Sequence, residues 1–184
     1  MEEIARDILI KAAQGDMRAF EEVYKATHGF VYNVAFRVVN NREDALEVSQ
    51  EVFMIIHNKL KGFRFESSFK TWVYRVTANS AINFAKKFSR SKTVPFEESH
   101  GEGAVLAEAH SNIDKEYQNQ LVETLLKELN PDQRACVVLR DIQGLSYEEI
   151  AQALNININT VRSRLKRSRE KFLIMRSRVD YEKV

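Results

Sequence analysis

Leu145-Ser146-Tyr147-Glu148-Glu149-Ile150-Ala151-Gln152-Ala153-Leu154-Asn155-Ile156-Asn157-Ile158-Asn159-Thr160-Val161-Arg162-Ser163-Arg164-Leu165 is the stretch that decides the fold of the C-terminal half. Ser146 followed three residues later by Glu149 is a capping box, and it stands directly before the apolar positions Ile150, Ala151 and Leu154, so a helix begins there. Asn155 tolerates the left-handed backbone of a tight turn, and Asn157 can cap a second helix from about Ile158. Ala151 is small where two helices would cross closely. In the second helix Val161, Leu165, Ser168 and Phe172 fall on one face, while Arg162, Ser163, Lys166, Arg167 and Arg169 project elsewhere. Apolar behind, with guanidinium and hydroxyl groups in front, this is the build of a recognition helix for guanine edges and phosphates in a major groove. Asn159, Thr160, Arg162, Ser163, Lys166 and Arg167 are its candidate contacts. Basic residues alone would describe any solvated helix; the capping box, small residue, asparagine turn and one-sided basic face together describe a DNA-binding helix-turn-helix.

Upstream, Leu121, Val122, Leu125, Leu126 and Leu129 precede a helix opened by Asn130-Pro131. Cys136, in the apolar run Ala135-Cys136-Val137-Val138-Leu139, reads as a buried packing residue, and as the single cysteine it can form no internal disulfide. Between Thr93 and Glu116 the helical pattern dissolves into a stretch with Pro95, Gly101, Gly103 and several acids, read as a linker. Its span of roughly 80 Å, at about 3.3 to 3.6 Å per residue, would exceed two turns of DNA.

The N-terminal half is also helical by pattern. Ile4, Ile8, Leu9 and Ala12 form a first stripe; Gly15-Asp16 stops it and caps the next, which runs through Phe20, Val23, Tyr24 and Thr27. Phe30 to Val39 is a third apolar piece. After Asn40-Asn41, a helix from Arg42 to Leu60 places Ala45, Val48, Val52, Phe53, Ile56 and Leu60 on one side until Gly62. Ser67 or Ser68 can cap a long helix from Phe69 to about Arg90. The fold expected is all-α: two small helical domains joined by a flexible linker, the C-terminal one a helix-turn-helix, with boundaries at 1–92, 93–116 and 117–184.

A net charge of +2 conceals strong patterning. His57 to Lys92 holds nine basic residues and one acid, Thr160 to Arg178 eight and one, and Glu97 to Glu128 two basic residues and eight acids. Two basic patches suit a polyanion, and the acidic stretch between them would be repelled by it. No stretch approaches the roughly 20 apolar residues of a membrane span, and the N-terminus lacks a signal-peptide layout, so membrane insertion is not expected and the cytoplasm is. The enzyme class has no support: there is no phosphate-cradling glycine loop, paired-histidine zinc helix or nucleophile motif, hence no catalytic residue, cofactor, metal or small-molecule substrate is expected. His28, His57, His100 and His110 are scattered, and even His100 and His110, both in the linker, read as solvated and not as metal ligands.

The run Leu145 to Ala151 followed by Thr160-Val161-Arg162-Ser163-Arg164-Leu165 resembles the C-terminal domain of bacterial sigma factors of the sigma-70 family, specifically the small extracytoplasmic-function group. Glu43-Asp44-Ala45 with Gln50-Glu51-Val52-Phe53 resembles the helix by which such factors hold the clamp of core RNA polymerase, and the resemblance implies that Asp44, Glu47, Gln50, Glu51 and Phe53 bind it. Phe69-Lys70-Thr71-Trp72-Val73-Tyr74-Arg75-Val76-Thr77-Ala78-Asn79-Ser80 is similar to the family's helix for the minus-ten element. One face packs while the other offers Lys70, Asn79, Asn83, Lys86 and Lys87. A separated strand needs a cationic track and flat or amide-bearing pockets for unstacked bases, and the preceding loop Lys61-Gly62-Phe63-Arg64-Phe65-Glu66 adds those parts.

By resemblance the loop and Asn79 receive a flipped base. Trp72 reads as core; Phe63 and Phe65 fit either core or strand. The likeness spans Gly15 to Phe172, and the acidic linker stands where larger sigma factors carry a middle domain. Leu46, Ser49 and Asn159 depart from the usual acid, apolar residue and glycine. The function implied is promoter selection: duplex recognition at minus thirty-five by the second domain, and melted-strand capture at minus ten by the first. An anti-sigma factor is the implied regulatory partner. An autonomous repressor or activator that binds duplex DNA unaided, usually as a dimer, is the competing reading, though no sustained heptad seam for dimerisation is present.

Overall fold

The computed structural model describes the backbone of residues 4–91 and 113–181, and the side chains of 4–87 and 120–176. Most of the expected linker lies outside the described residues. Where it re-enters them, residues 113–116 are helical and run on to Lys127.

Among the described residues there are eight α-helices and no strand: α1 (Arg6–Ala13), α2 (Met17–Val39), α3 (Arg42–Lys59), α4 (Phe69–Ser91), α5 (Ile113–Lys127), α6 (Pro131–Val137), α7 (Tyr147–Leu154) and α8 (Ile158–Tyr181). Their ends are chemically explicit. Gly15 takes φ +96° and Asp16 accepts from the Arg18 and Ala19 amides, closing α1 and opening α2. The second and third apolar pieces fuse, because nothing between Thr27 and Val39 stops the α2 ladder. Asn40 ends α2 in the left-handed region, and Asn41 accepts from the Asp44 amide to start α3. A 3₁₀ turn, Leu60–Gly62, terminates α3. Ser68, rather than Ser67, caps α4 through the Thr71 amide at 3.0 Å.

In the second half Asn130 and Gln133 form a capping box that the sequence reading left unnoticed, with Pro131 at the first helical position. A π-helical turn, Val138–Ile142, follows α6. The Ser146–Glu149 box is complete: the Glu149 amide donates to Ser146 Oγ at 3.1 Å, and the Ser146 amide to Glu149 Oε2 at 2.7 Å. Asn155 turns at φ 52°, and Asn157 accepts from the Asn159 amide. Ser146→Ala is expected to cost about 1 kcal/mol, read as a lower urea midpoint at unchanged slope. An unchanged midpoint would mean that this cap carries no stability.

Valines 23, 31, 34 and 38 of α2 sit at the centre of the first unit, against Ala45, Val48, Val52 and Ile56 of α3 and Val73, Ala78 and Ala81 of α4, all fully buried. In the second unit Leu126, Leu129, the run from Ala135 to Leu139, Ile150, Val161 and Leu165 form the core. Ala153, fully buried, is the small residue of α7 that matters most, whereas Ala151 is only half-buried. The two units also pack on each other, α4 against α7 and α6, and α2 against α6. A linker of that length neither required nor forbade this.

Candidate nucleic-acid and partner interfaces

The recognition helix is built as its periodicity requires. Val161, Leu165 and Ser168 are buried, Phe172 is half-buried, and Asn159, Arg162, Lys166 and Arg167 are exposed on the opposite half of α8, with Thr160 and Ser163 partly covered. Arg162 Nη1 donates to Asn159 Oδ1 at 3.0 Å, which holds the guanidinium over the start of the helix. Ser163 Oγ donates to the Thr160 carbonyl at 2.9 Å. Two other arginines face the body of the protein: Arg164 pairs with Asp132 at 3.1 Å, and Arg169 with Asp141 at 3.7 Å. Arg169, read from the sequence as an outward cation, is thus turned toward an acid.

The loop after α3 makes a pocket of about 580 Å³. Lys59, Lys61, Arg64 and Arg75 give it a cationic rim; Phe63 and Trp72 supply flat walls, and Asn58 an amide. Trp72, expected in the core, therefore has two roles. It packs with Phe63 and Phe69 at ring centroids 5.3 and 5.7 Å away, and it still borders the pocket. Phe63 is the hub of this cluster. Phe65 touches Phe63 at a ring-centroid distance of 4.9 Å but lies outside the pocket. It adopts φ 57°, unusual for an aromatic residue, and its ring lies under the Arg6 guanidinium at 4.5 Å, facing α1. Arg75 and Lys59 were missed by the sequence reading, although Arg75 lies three residues after Trp72 and hence on the same side of α4.

On α4, Asn79, Asn83, Lys86 and Lys87 share a face, but Lys70 does not. Nine residues before Asn79, at about 100° each, it lies on the other side of the helix, with Nζ 5.9 Å from the Tyr74 ring. Asn83 and Lys87 are exposed. Asn79 Nδ2 donates to the Ala153 carbonyl at 3.1 Å, and Lys86 pairs with Asp132 at 2.7 Å, both in the second unit. Tyr74 Oη donates to Gln143 Oε1 at 3.3 Å, and burial, aided by the Glu149 charge, pushes its phenol up to about 12. Cys136 is buried as expected, and burial pushes its thiol up to about 11.

A third surface lies between α2 and α3: a groove of about 700 Å³ lined by Phe20, Tyr24, Leu46, Phe53 and Met54 among others. Leu46 and Met54 are more than half exposed, at 56% and 65%. Gln50 and Phe53, both singled out from the sequence, border it; Asp44, Glu47 and Glu51 lie along the neighbouring edge of α3, giving an apolar floor with an acidic margin. Tyr24 and Met54 were not anticipated, since apolar residues at helical spacing read as core until their exposure is known.

Two family descriptions match the chain, Sigma-70 region 2 over residues 23–91 and Sigma-70, region 4 over residues 119–172. The ECF RNA polymerase sigma-E factor of Escherichia coli (strain K12) is 32% identical over 178 residues, covering 92% of this chain and 93% of that one. Among solved structures, CnrH in complex with the cytosolic domain of CnrY superposes with TM-score 0.66 at 23% identity, covering 94% of this chain and 96% of that chain. The sigma factor RpoE in complex with the anti-sigma factor NepR from Bartonella quintana superposes with TM-score 0.63 at 22% identity, covering 83% and 92%. At these identities the two structures share the fold.

Proposed function

The chain belongs to the extracytoplasmic-function group of the sigma-70 family, and from that premise we propose that it binds core RNA polymerase and directs it to chosen promoters. Its units divide the work at the boundaries read from the sequence. The α2–α3 groove with Asp44, Glu47, Gln50, Glu51 and Phe53 docks on the polymerase. The pocket formed by Lys61, Phe63, Arg64, Trp72 and Arg75 receives an unstacked base of the minus-ten strand, with Asn79, Asn83, Lys86 and Lys87 along its track. The α8 face from Asn159 to Arg167 reads the minus-thirty-five duplex. Polymerisation chemistry belongs to the polymerase, and the place of action is the cytoplasm, where the chromosome is.

The observation that carries this reading is the pairing, in one chain, of an exposed basic recognition face with a separate cationic pocket walled by aromatic rings. Duplex reading needs the first and strand capture the second. An autonomous repressor would have no use for the pocket. Among relatives of this fold, RpoE was solved with its anti-sigma factor; a partner of that kind is the regulator proposed here, and the groove offers it apolar area.

Reconstituted transcription with core polymerase on genomic fragments is the direct test. Added chain is expected to create new, sequence-defined start sites; tight selective duplex binding without polymerase, together with no new start sites, would favour the repressor. Within that assay, Arg162→Ala is expected to cost about 1–3 kcal/mol of duplex affinity and to relax preference at one minus-thirty-five position. Weaker binding with unchanged preference would make Arg162 a phosphate contact instead.

A further inference from the structure

Residues 63–68 are neither helix nor strand, so the wall that Phe63 gives to the cationic pocket has no helical ladder to fix it. Side chains must fix it instead. Phe65 takes φ 57°, and a left-handed phenylalanine persists only where its surroundings over-determine it. Two neighbours do so. The Phe63 ring lies 4.9 Å away, tilted by 60°, and the Arg6 guanidinium stands over the Phe65 ring at 4.5 Å from its centroid.

Arg6 is the first residue of α1, and α1 packs on the 3₁₀ turn from which the loop departs. Leu9 and Leu60 are buried, and together with Phe63 and Phe65 they border a second cavity, of about 400 Å³, between α1 and the loop. Lys61 and Phe63 border that cavity and the cationic pocket alike, so a change on the α1 side reaches the pocket through them. The rings form a relay: Arg6 to Phe65 at 4.5 Å, Phe65 to Phe63 at 4.9 Å, Phe63 to Trp72 at 5.3 Å. Its first member lies outside residues 23–91, the part that the Sigma-70 region 2 description matches, whereas the pocket lies inside them.

We propose that Arg6 is a positioning residue of the strand pocket: by standing on Phe65 it locks the left-handed turn there and thereby sets the Phe63 ring as a pocket wall beside Trp72. This rests on the reading of that pocket as the one that receives an unstacked base. Arg6 acts through two rings and does not itself border the pocket. Without the cation the left-handed turn loses a partner, the loop samples ordinary backbone conformations, and the fraction of chains with a formed wall falls. Apparent affinity for a single strand falls by the same fraction.

The full-length chain is compared with R6A, F65L and the double variant. Fluorescence anisotropy with random single-stranded 12-mers should show each single variant binding about two- to fivefold more weakly, the range of one exposed cation–π contact. The double variant should be no weaker than the weaker single one, because both substitutions break the same link. For R6A, affinity for duplex fragments and the urea midpoint should stay at the wild-type values, since Arg6 is an exposed residue remote in the chain from α8. Trp72 is the only tryptophan and borders the pocket, so acrylamide should quench R6A fluorescence more strongly than that of the wild type.

Single-strand affinity of R6A equal to that of the wild type overturns the brace, as does unchanged quenching of Trp72. Additive losses in the double variant also overturn it, because the two residues would then act separately. So does a salt dependence shallower by about 0.7 in R6A, which would make Arg6 a phosphate contact. Failure of the wild-type chain to bind single strands and to redirect initiation by core polymerase would count against the proposed function itself, whereas normal wild-type behaviour matched by R6A removes only the role of Arg6.

Discussion

Leu165→Ala is expected to destabilise the chain by about 2–5 kcal/mol, a substantial share of what a domain of this size possesses. Leu165 is 1% exposed and, with Val161 and Ser168, forms the buried back of α8 against α6 and α7. Truncation leaves a cavity that a helix pinned by the Asn157 cap and the Arg164–Asp132 pair can only partly collapse into. Urea unfolding measures the loss. The fraction that remains folded should keep its duplex sequence preference, because the base-facing side chains stand on the opposite half of the helix. A changed preference with little lost stability would place Leu165 at the DNA and reverse the orientation assigned to α8.

Arg134→Ala is the second large effect, on the order of 3 kcal/mol. Arg134 is 9% exposed, and its guanidinium donates to the carbonyls of Val38 and Leu129 at 2.7 and 2.9 Å. Burial pulls its pKa below the ordinary arginine value, yet a cation aimed at the carbonyl ends of α2 and α5 is favoured by both helix dipoles. Removing it leaves these carbonyls unpaired inside the protein, the costly half of any hydrogen-bond deletion. Lysine should restore little, because one ammonium cannot reproduce the fork that reaches one carbonyl in the last turn of α2 and another in the turn after α5. Denaturant unfolding in low and high salt is the measurement. A loss below about 1 kcal/mol, or one that vanishes with salt, would describe a solvated surface cation and not a buried staple.

The helix-turn-helix was legible because its signals act over three or four residues. Ser146 with Glu149, Asn155, Asn157 and the spacing of Val161, Leu165 and Ser168 each specify local backbone or a helical face, and each stands in the structure as read. The same holds for Asp16, Asn41 and Asn130-Pro131 at other helix starts. Candidate-site residues on a single helix face were equally accessible, except that Lys70 was grouped with Asn79 although the intervening residues turn it to the far side of α4.

What the chain's own order of residues determined, then, is an all-helical protein with a basic recognition helix and a second basic helix bearing aromatic and amide groups. It took the packed fold to set Phe65 under the Arg6 guanidinium while Trp72 and Arg75 wall the pocket, to leave Leu46 and Met54 exposed over a groove, and to bring Asn79 and Lys86 to the second unit. The reason is range. Arg134 and Val38 are 96 residues apart, Asn79 and Ala153 74, Tyr74 and Gln143 69. The first two join a side-chain donor to a backbone carbonyl in a distant helix's last turn and the third joins two side chains, and no periodicity or cap within either segment encodes which partner that will be.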